Sequence, residues 1–203
     1  MADSAKIQHP GAIRTGIFLA AALLMLAATA AWGQSPPSLP PAANLSDSQA
    51  AARAALFAEL AAAKSDAEAR GIEDRIWTFW RSFADDESKE LLDESRQAQL
   101  RFDYDEALLY QKELVKHAPQ FAEGWNQLAY VYFLAGRYDD SLSAIDRVLA
   151  LEPMHYAALA GRGIILMQQG KVAEAQVALK RALAIDPWLK ERNLIGEDRI
   201  PEP

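Results

Sequence analysis

AEGWNQLAYVYFLAGRYDDSLSAIDRVLALEPMH, residues 122–155, runs directly into YAALAGRGIILMQQGKVAEAQVALKRALAIDPWL, residues 156–189. Between the two, Gly136 recurs as Gly170, Ala144 as Ala178, Arg147 as Arg181, Leu149 as Leu183, Ala150 as Ala184 and Pro153 as Pro187, every pair separated by the same interval. A fixed period of about 34 residues marks a solenoid of helix–turn–helix units, in which each unit buries its apolar face against its neighbours. Small Ala129 and Gly163 let the two helices of a pair approach, as do Ser141 and Ala175 on the second helix. Trp125, Tyr132, Ile145 and Val148 fill the space between helices and between units. Gly136 and Gly170 supply a left-handed residue at the end of each first helix, and Pro153 and Pro187 stop each second helix. Arg162 stands where Leu128 packs in the preceding copy, so its stem is expected to cover apolar surface while its head reaches water.

A weaker third copy lies upstream. Tyr104-Asp105 matches Tyr138-Asp139, Ala107 matches Ser141, Leu108 matches Leu142 and Pro119 matches Pro153. Phe102 occupies the position of Gly136 and Gly170, so the turn there is expected to be built differently.

In the middle copy Trp125, Leu128, Ala129, Tyr132, Gly136, Tyr138, Ser141, Ile145, Val148 and Pro153 fall in one register. Leu159, Gly163, Leu166, Gly170, Ala175, Leu179, Ala182 and Pro187 repeat it. This register resembles the tetratricopeptide repeat (TPR), and the segment is similar to small TPR proteins of alphaproteobacteria. The resemblance implies an all-α, right-handed α-solenoid whose concave face is lined by the first helix of each pair. The units are 88–121 (degenerate), 122–155 and 156–189. It also implies a groove for an extended peptide or amphipathic helix, which points to Glu123, Asn126, Tyr130, Phe133 and Leu134 in the middle unit. Ile164, Met167 and Gln168, beside Ala157 and Ala160, are the candidates in the last unit. Arg96 and Gln99, beside Lys89, Leu92 and Leu100, are those in the first. The groove expected is apolar and aromatic with basic residues at one end. A TPR site that grips a C-terminal carboxylate uses Lys and Asn; Asn126 fits one, but Tyr130 and Ala160 stand where its polar partners belong. The alternative for Tyr130, Phe133 and Met167 is burial against the N-terminal helices or a second copy, so a homodimer stays open.

Before the repeats, Ser46 with Gln49 and Ser65 with Glu68 have capping-box spacing. They predict helices over 47–64 and 66–84, the second with a stripe of Ile72, Ile76, Phe79, Trp80 and Phe83. This two-helix segment, 47–87, is expected to cap the open face of the first repeat. Trp77, Phe79 and Trp80 at helical spacing read as packing rather than a ligand cage.

Residues 1–33 read as a signal peptide: Arg14, then IFLAAALLMLAATAA over 17–31 without charge, then Gly33 as the favoured cleavage site and Ala30 as the alternative. The run is short for a spanning helix, although an uncleaved anchor in the inner membrane is the rival reading. Residues 34–46 carry four prolines and read as an extended tether. Residues 190–203 are a charged tail expected to hold a short helical turn and a frayed end. Formal charge is −7; losing Lys6, Arg14 and Asp3 takes two of the 21 basic and one of the 28 acidic residues and leaves −8. That balance argues against nucleic acid and against an anionic membrane surface.

No cysteine is present, which removes disulfides, thiol catalysis and cysteine-ligated metals. His9 is in the leader, and His117 and His155 are isolated near helix ends, where surface or dipole-complementing roles are expected. No HExxH, GxSxG or phosphate loop occurs, and Asp85-Asp86-Glu87 reads as a solvated loop. The expectation is therefore a non-enzymatic protein-binding scaffold without cofactor or metal, acting in the periplasm. The alternative is a membrane-anchored assembly factor or accessory subunit of an envelope enzyme complex.

Overall fold

The computed structural model describes Ala42 and residues 44–195; the leader, the start of the proline-rich segment and the end of the tail lie outside the described residues. Eight α-helices and one 3-10 turn make up that part. They are α1 Asp47–Ala62, α2 Asp66–Arg81, α3 Asp86–Leu100, α4 Tyr104–His117, α5 Ala122–Leu134, α6 Tyr138–Leu151, α7 Tyr156–Gln168, α8 Val172–Ile185 and η1 Lys190–Leu194. Helices α4, α6 and α8 begin at Tyr104, Tyr138 and Val172, equal steps along the chain, and the same step separates the starts of α5 and α7. The period read from the glycines and prolines is thus the period of the backbone.

Three antiparallel pairs, α3/α4, α5/α6 and α7/α8, stack side by side. Leu108, Leu128, Val131, Ile145, Val148 and Ile165 make one core that runs through them. The seam inside each pair is set by residue size. Ser95 Oγ donates to the Ala107 carbonyl at 3.2 Å in the first pair, and Ser141 Oγ donates to the Ala129 carbonyl at 2.7 Å in the second. In the third pair Gly163 and Ala175 meet with no hydroxyl between them. Arg162 reaches out of the seam to pair with Asp146.

The first-to-second-helix turn is the same in all three pairs. Gly136 and Gly170 have φ of 70° and 73°, and Phe102 adopts φ 60°. In each, the next residue's N–H returns to a carbonyl five positions back: Asp103 to Ala98, Arg137 to Tyr132, Lys171 to Leu166. The turn at Phe102 is therefore not built differently. A side chain accepts the left-handed conformation there, 78% exposed and edge-on to Tyr104. That conformation costs a non-glycine residue about 1–2 kcal/mol. Phe102→Gly is expected to raise the unfolding free energy by about 1 kcal/mol in urea titration.

Helix α3 starts on Asp85, whose Oδ1 accepts the Ser88 N–H at 2.8 Å, while Oδ2 meets His117 Nε2 at the end of α4 at 2.8 Å. These bonds hold the Asp85 carboxyl well below the usual range. The Asp85 hydrogen bond, with Asp85 and Glu87 charges nearby, raises the His117 pKa. His117 then adds stability that is full below its unfolded pKa and is lost as pH rises through its raised folded value; the Asp85 share is lost on acidification. His117→Ala is expected to flatten the fall in melting temperature on the alkaline side of about pH 6.5.

Helices α1 and α2 open with the expected serine caps. Ser46 and Gln49 close a reciprocal box, whereas Glu68 caps back to the Lys64 N–H instead of Ser65. The sequence places the two helices over the open face of the first repeat; their core contacts are instead with later repeats. Leu56, Phe57, Leu60, Ile72, Ile76 and Trp80 pack on Tyr156, with Met154, Ile185, Trp188 and Leu189 at the margin. Asn44 bonds Gln120 between α4 and α5, and Arg53 bonds Glu152 between α6 and α7. Helix α1 thus crosses the turns that link successive repeats. The turn between α6 and α7 carries a buried carboxylate, Glu152, which Arg53 of α1 satisfies, and His155, on which the Trp80 ring of α2 stacks.

Candidate functional site

Next to His155 lies Glu123, which the resemblance assigns to the groove. It is 3% exposed. Its carboxylate accepts from Asn126 Nδ2 at 3.1 Å and Gln127 Nε2 at 2.5 Å, and meets His155 Nε2 at 3.2 Å. His155 is fully buried rather than at the surface. Its Nδ1 accepts the Ala158 N–H at 3.2 Å, capping α7, so Nε2 carries the proton given to Glu123. The ring lies flat on Trp80, with centroids 4.0 Å apart. Glu123 is therefore a structural hub, and Asn126 is already committed to it.

Above this hub an apolar pocket of about 370 Å³ opens between α2, α5 and α7, lined by Trp77, Tyr130, Phe133, Ala157, Gly161 and Ile164 among others. Tyr130 is 50% exposed. Phe133 is half-buried; its ring meets Tyr138 and packs on the main core. Leu134 is half-buried and outside the pocket lining. Ile164 continues into a further pocket with Met167 and Gln168, rimmed by η1. Arg96 pairs with Asp93 on its own helix and Gln99 donates to Ser95, so neither reaches this site. Trp77, a packing residue by its sequence spacing, stands edge-on to Trp80 and forms the groove wall. Its signal is its place one residue off the Ile72–Ile76–Trp80 stripe.

The end expected to be basic, at Lys89 and Arg96 of the first unit, takes no part in these pockets, and the opposite end is rich in acid. A second pocket adjoins the first through Trp77, Ala157, Gly161 and Ile164, and is walled by Asp66, Glu73, Asp74, Tyr156, Trp188 and Glu191, with Arg70, Lys190 and Arg192 at its edge. Arg70 is held by Asp66. Behind the wall Asp186 is fully buried. Its Oδ1 accepts the Trp188 N–H at 3.0 Å, and burial raises its pKa. Partial burial, then the Asp186 charge, push Glu73 up to about 7. Burial also raises the Tyr156 phenol. Among the described residues no group of three His, Cys, Asp or Glu is placed to hold a metal ion, and no helix is long and apolar enough to cross a membrane.

Residues 101–149 and 127–187 match the tetratricopeptide repeat family model. Residues 101–187 carry tetratricopeptide repeats. Over 81 residues it is 38% identical to a TPR repeat-containing protein of Rhizobium etli, covering 40% of each chain. Over 72 residues it is 42% identical to the cytochrome c-type biogenesis protein CycH of Rhizobium meliloti, covering 34% of this chain and 19% of that one. The chain thus spans less than half the length of these relatives. The first TPR domain of Spaghetti (RPAP3), solved with an HSP90 peptide, shares the fold at 20% identity and a TM-score of 0.51, over 53% of this chain and 86% of that one. The TPR fold explains the stacked pairs; the helices that wall the groove, α2 and η1, lie outside the matched residues.

Proposed function

We propose that this TPR chain is a non-enzymatic adaptor that holds a peptide or amphipathic helix of another protein in the groove between α2, α5 and α7. The observation that carries this reading is the solvent-reachable apolar pocket where Trp77, Tyr130 and Ile164 converge, while the cores of the repeats are closed. Concave apolar sites with few polar groups suit such ligands, and the TPR domain of Spaghetti was solved with a short peptide. The chain works in the periplasm after removal of a leader at Gly33. The likeness to CycH supports a second reading, an envelope assembly factor or accessory subunit that keeps its leader as an anchor. N-terminal sequencing separates the two: a chain starting at Gln34 supports the first, and one retaining residues 1–33 the second.

The test is capture of the partner from the cells that make the full chain, by wild type and by Tyr130→Ala. Tyr130 is chosen over Phe133 because its exposure spares the core. The variant is expected to melt as wild type and to bind about thirtyfold more weakly, the size of an interface hot spot of about 2 kcal/mol. Equal affinity would put the contact elsewhere.

A further inference from the structure

Glu152 and Asp186 occupy the same position in successive repeats, one period apart and each followed by proline. Both are buried, and each accepts the N–H two residues on, from Met154 and Trp188. Their remaining oxygens differ. Glu152 is gripped at both oxygens by the guanidinium of Arg53, at 2.7 and 2.5 Å. Asp186 Oδ2 has no hydrogen-bond partner and faces another carboxyl group, Glu73. In the Glu152 copy of this motif the second partner is a guanidinium.

We infer that the acid-walled pocket receives an arginine side chain of the bound segment, next to a bulky apolar residue in the 370 Å³ pocket. This rests on the groove reading above. Trp77 and Trp188 offer ring surface for a planar cation. Tyr156 lines the same pocket, is 1% exposed, and its hydroxyl is without a hydrogen-bond partner. The charged and titratable groups around Glu73 are Asp66, Arg70 and Asp74 on α2, Tyr156 on α7, Asp186 after α8, and Lys190, Glu191 and Arg192 on η1. Lys190 and Arg192 lie at the rim and Arg70 is paired, so the inner wall stays acidic. With no cation bound, Glu73 keeps its proton up to about pH 7. An arriving guanidinium replaces that proton, which Glu73 gives up to solvent.

The experiment titrates the full chain with acetyl-Leu-Arg-amide and with acetyl-Leu-citrulline-amide, which keeps the shape and lacks the charge. The readout is the indole N–H signals, assigned with Trp77→Phe and Trp188→Phe. The arginine peptide is expected to bind at least fivefold tighter than the citrulline peptide. Its affinity should rise about tenfold from pH 6 to pH 8, following ionisation of Glu73 near 7. Glu73→Gln, which keeps the shape of the side chain and removes its charge, should fold normally and lose both effects. Equal binding of the two peptides, a preference that ignores pH, a preference that survives in Glu73→Gln, or no binding of either would each overturn the inference. Capture by the Tyr130 pair of baits decides the groove reading separately, because neither bait alters the acidic pocket.

Discussion

Arg53→Ala is expected to lower the unfolding free energy by about 3–5 kcal/mol, read from urea titration of the full chain. Both members of the Arg53–Glu152 pair are 4% exposed at the side chain, and the guanidinium makes two bonds to one carboxylate. Removing the cation leaves Glu152 buried with only the Met154 N–H to satisfy it. Desolvation of an unpaired charge is the large term, not the lost attraction. It follows that the double variant Arg53→Met, Glu152→Leu should be far less damaged than Arg53→Ala alone. A double variant as unstable as the single one would show that the pair contributes through attraction. The loss should also be nearly independent of salt, unlike that of the exposed Arg70–Asp66 pair.

Gly163→Ala, an addition of one methyl group, should cost about 1–3 kcal/mol. A Cβ at 163 would sit 2.5 Å from Leu179 Cγ and 2.7 Å from its Cδ2, and 3.3 Å from the Ala175 carbonyl oxygen. Leu179 is itself fully buried, so it has no free volume to enter and α7 and α8 must part. The register-equivalent Ala129 carries a methyl at this seam, where the Ser141 hydroxyl bonds its carbonyl. Leu179→Ala should recover part of the loss in the Gly163→Ala background while being destabilising alone. Additive effects in that cycle would disprove the contact.

The repeats were legible because a period constrains many residues at once: glycine, proline and small residues recur at one interval, and the helix ends follow. The groove was legible in part. Tyr130 and Ile164 line it and Met167 lines the pocket beside it, on the helices to which the resemblance pointed. Arg96 and Gln99 do not reach it, and Glu123 turns inward. What failed to show was the placement of α1 and α2. Arg53 in an alanine-rich helix, and Glu123, Glu152 and His155 in or beside turns, look like ordinary solvated residues until they meet. Pairing between distant elements leaves no periodic trace, and burial of a charge is decided by its partner. Trp77 was missed for the same reason, since its groove role exists only once α2 is seated on α7.

That seating has a consequence for how the chain is made. Arg53 leaves the ribosome 99 residues ahead of Glu152. At roughly 5–20 residues per second, this is a wait of about 5–20 s. During it the newborn hairpin holds Phe57, Ile76 and Trp80 with no repeat surface to cover them. The nascent chain is therefore stickiest before its last repeat has emerged, and a hairpin made ahead of the repeats is the last to find its place.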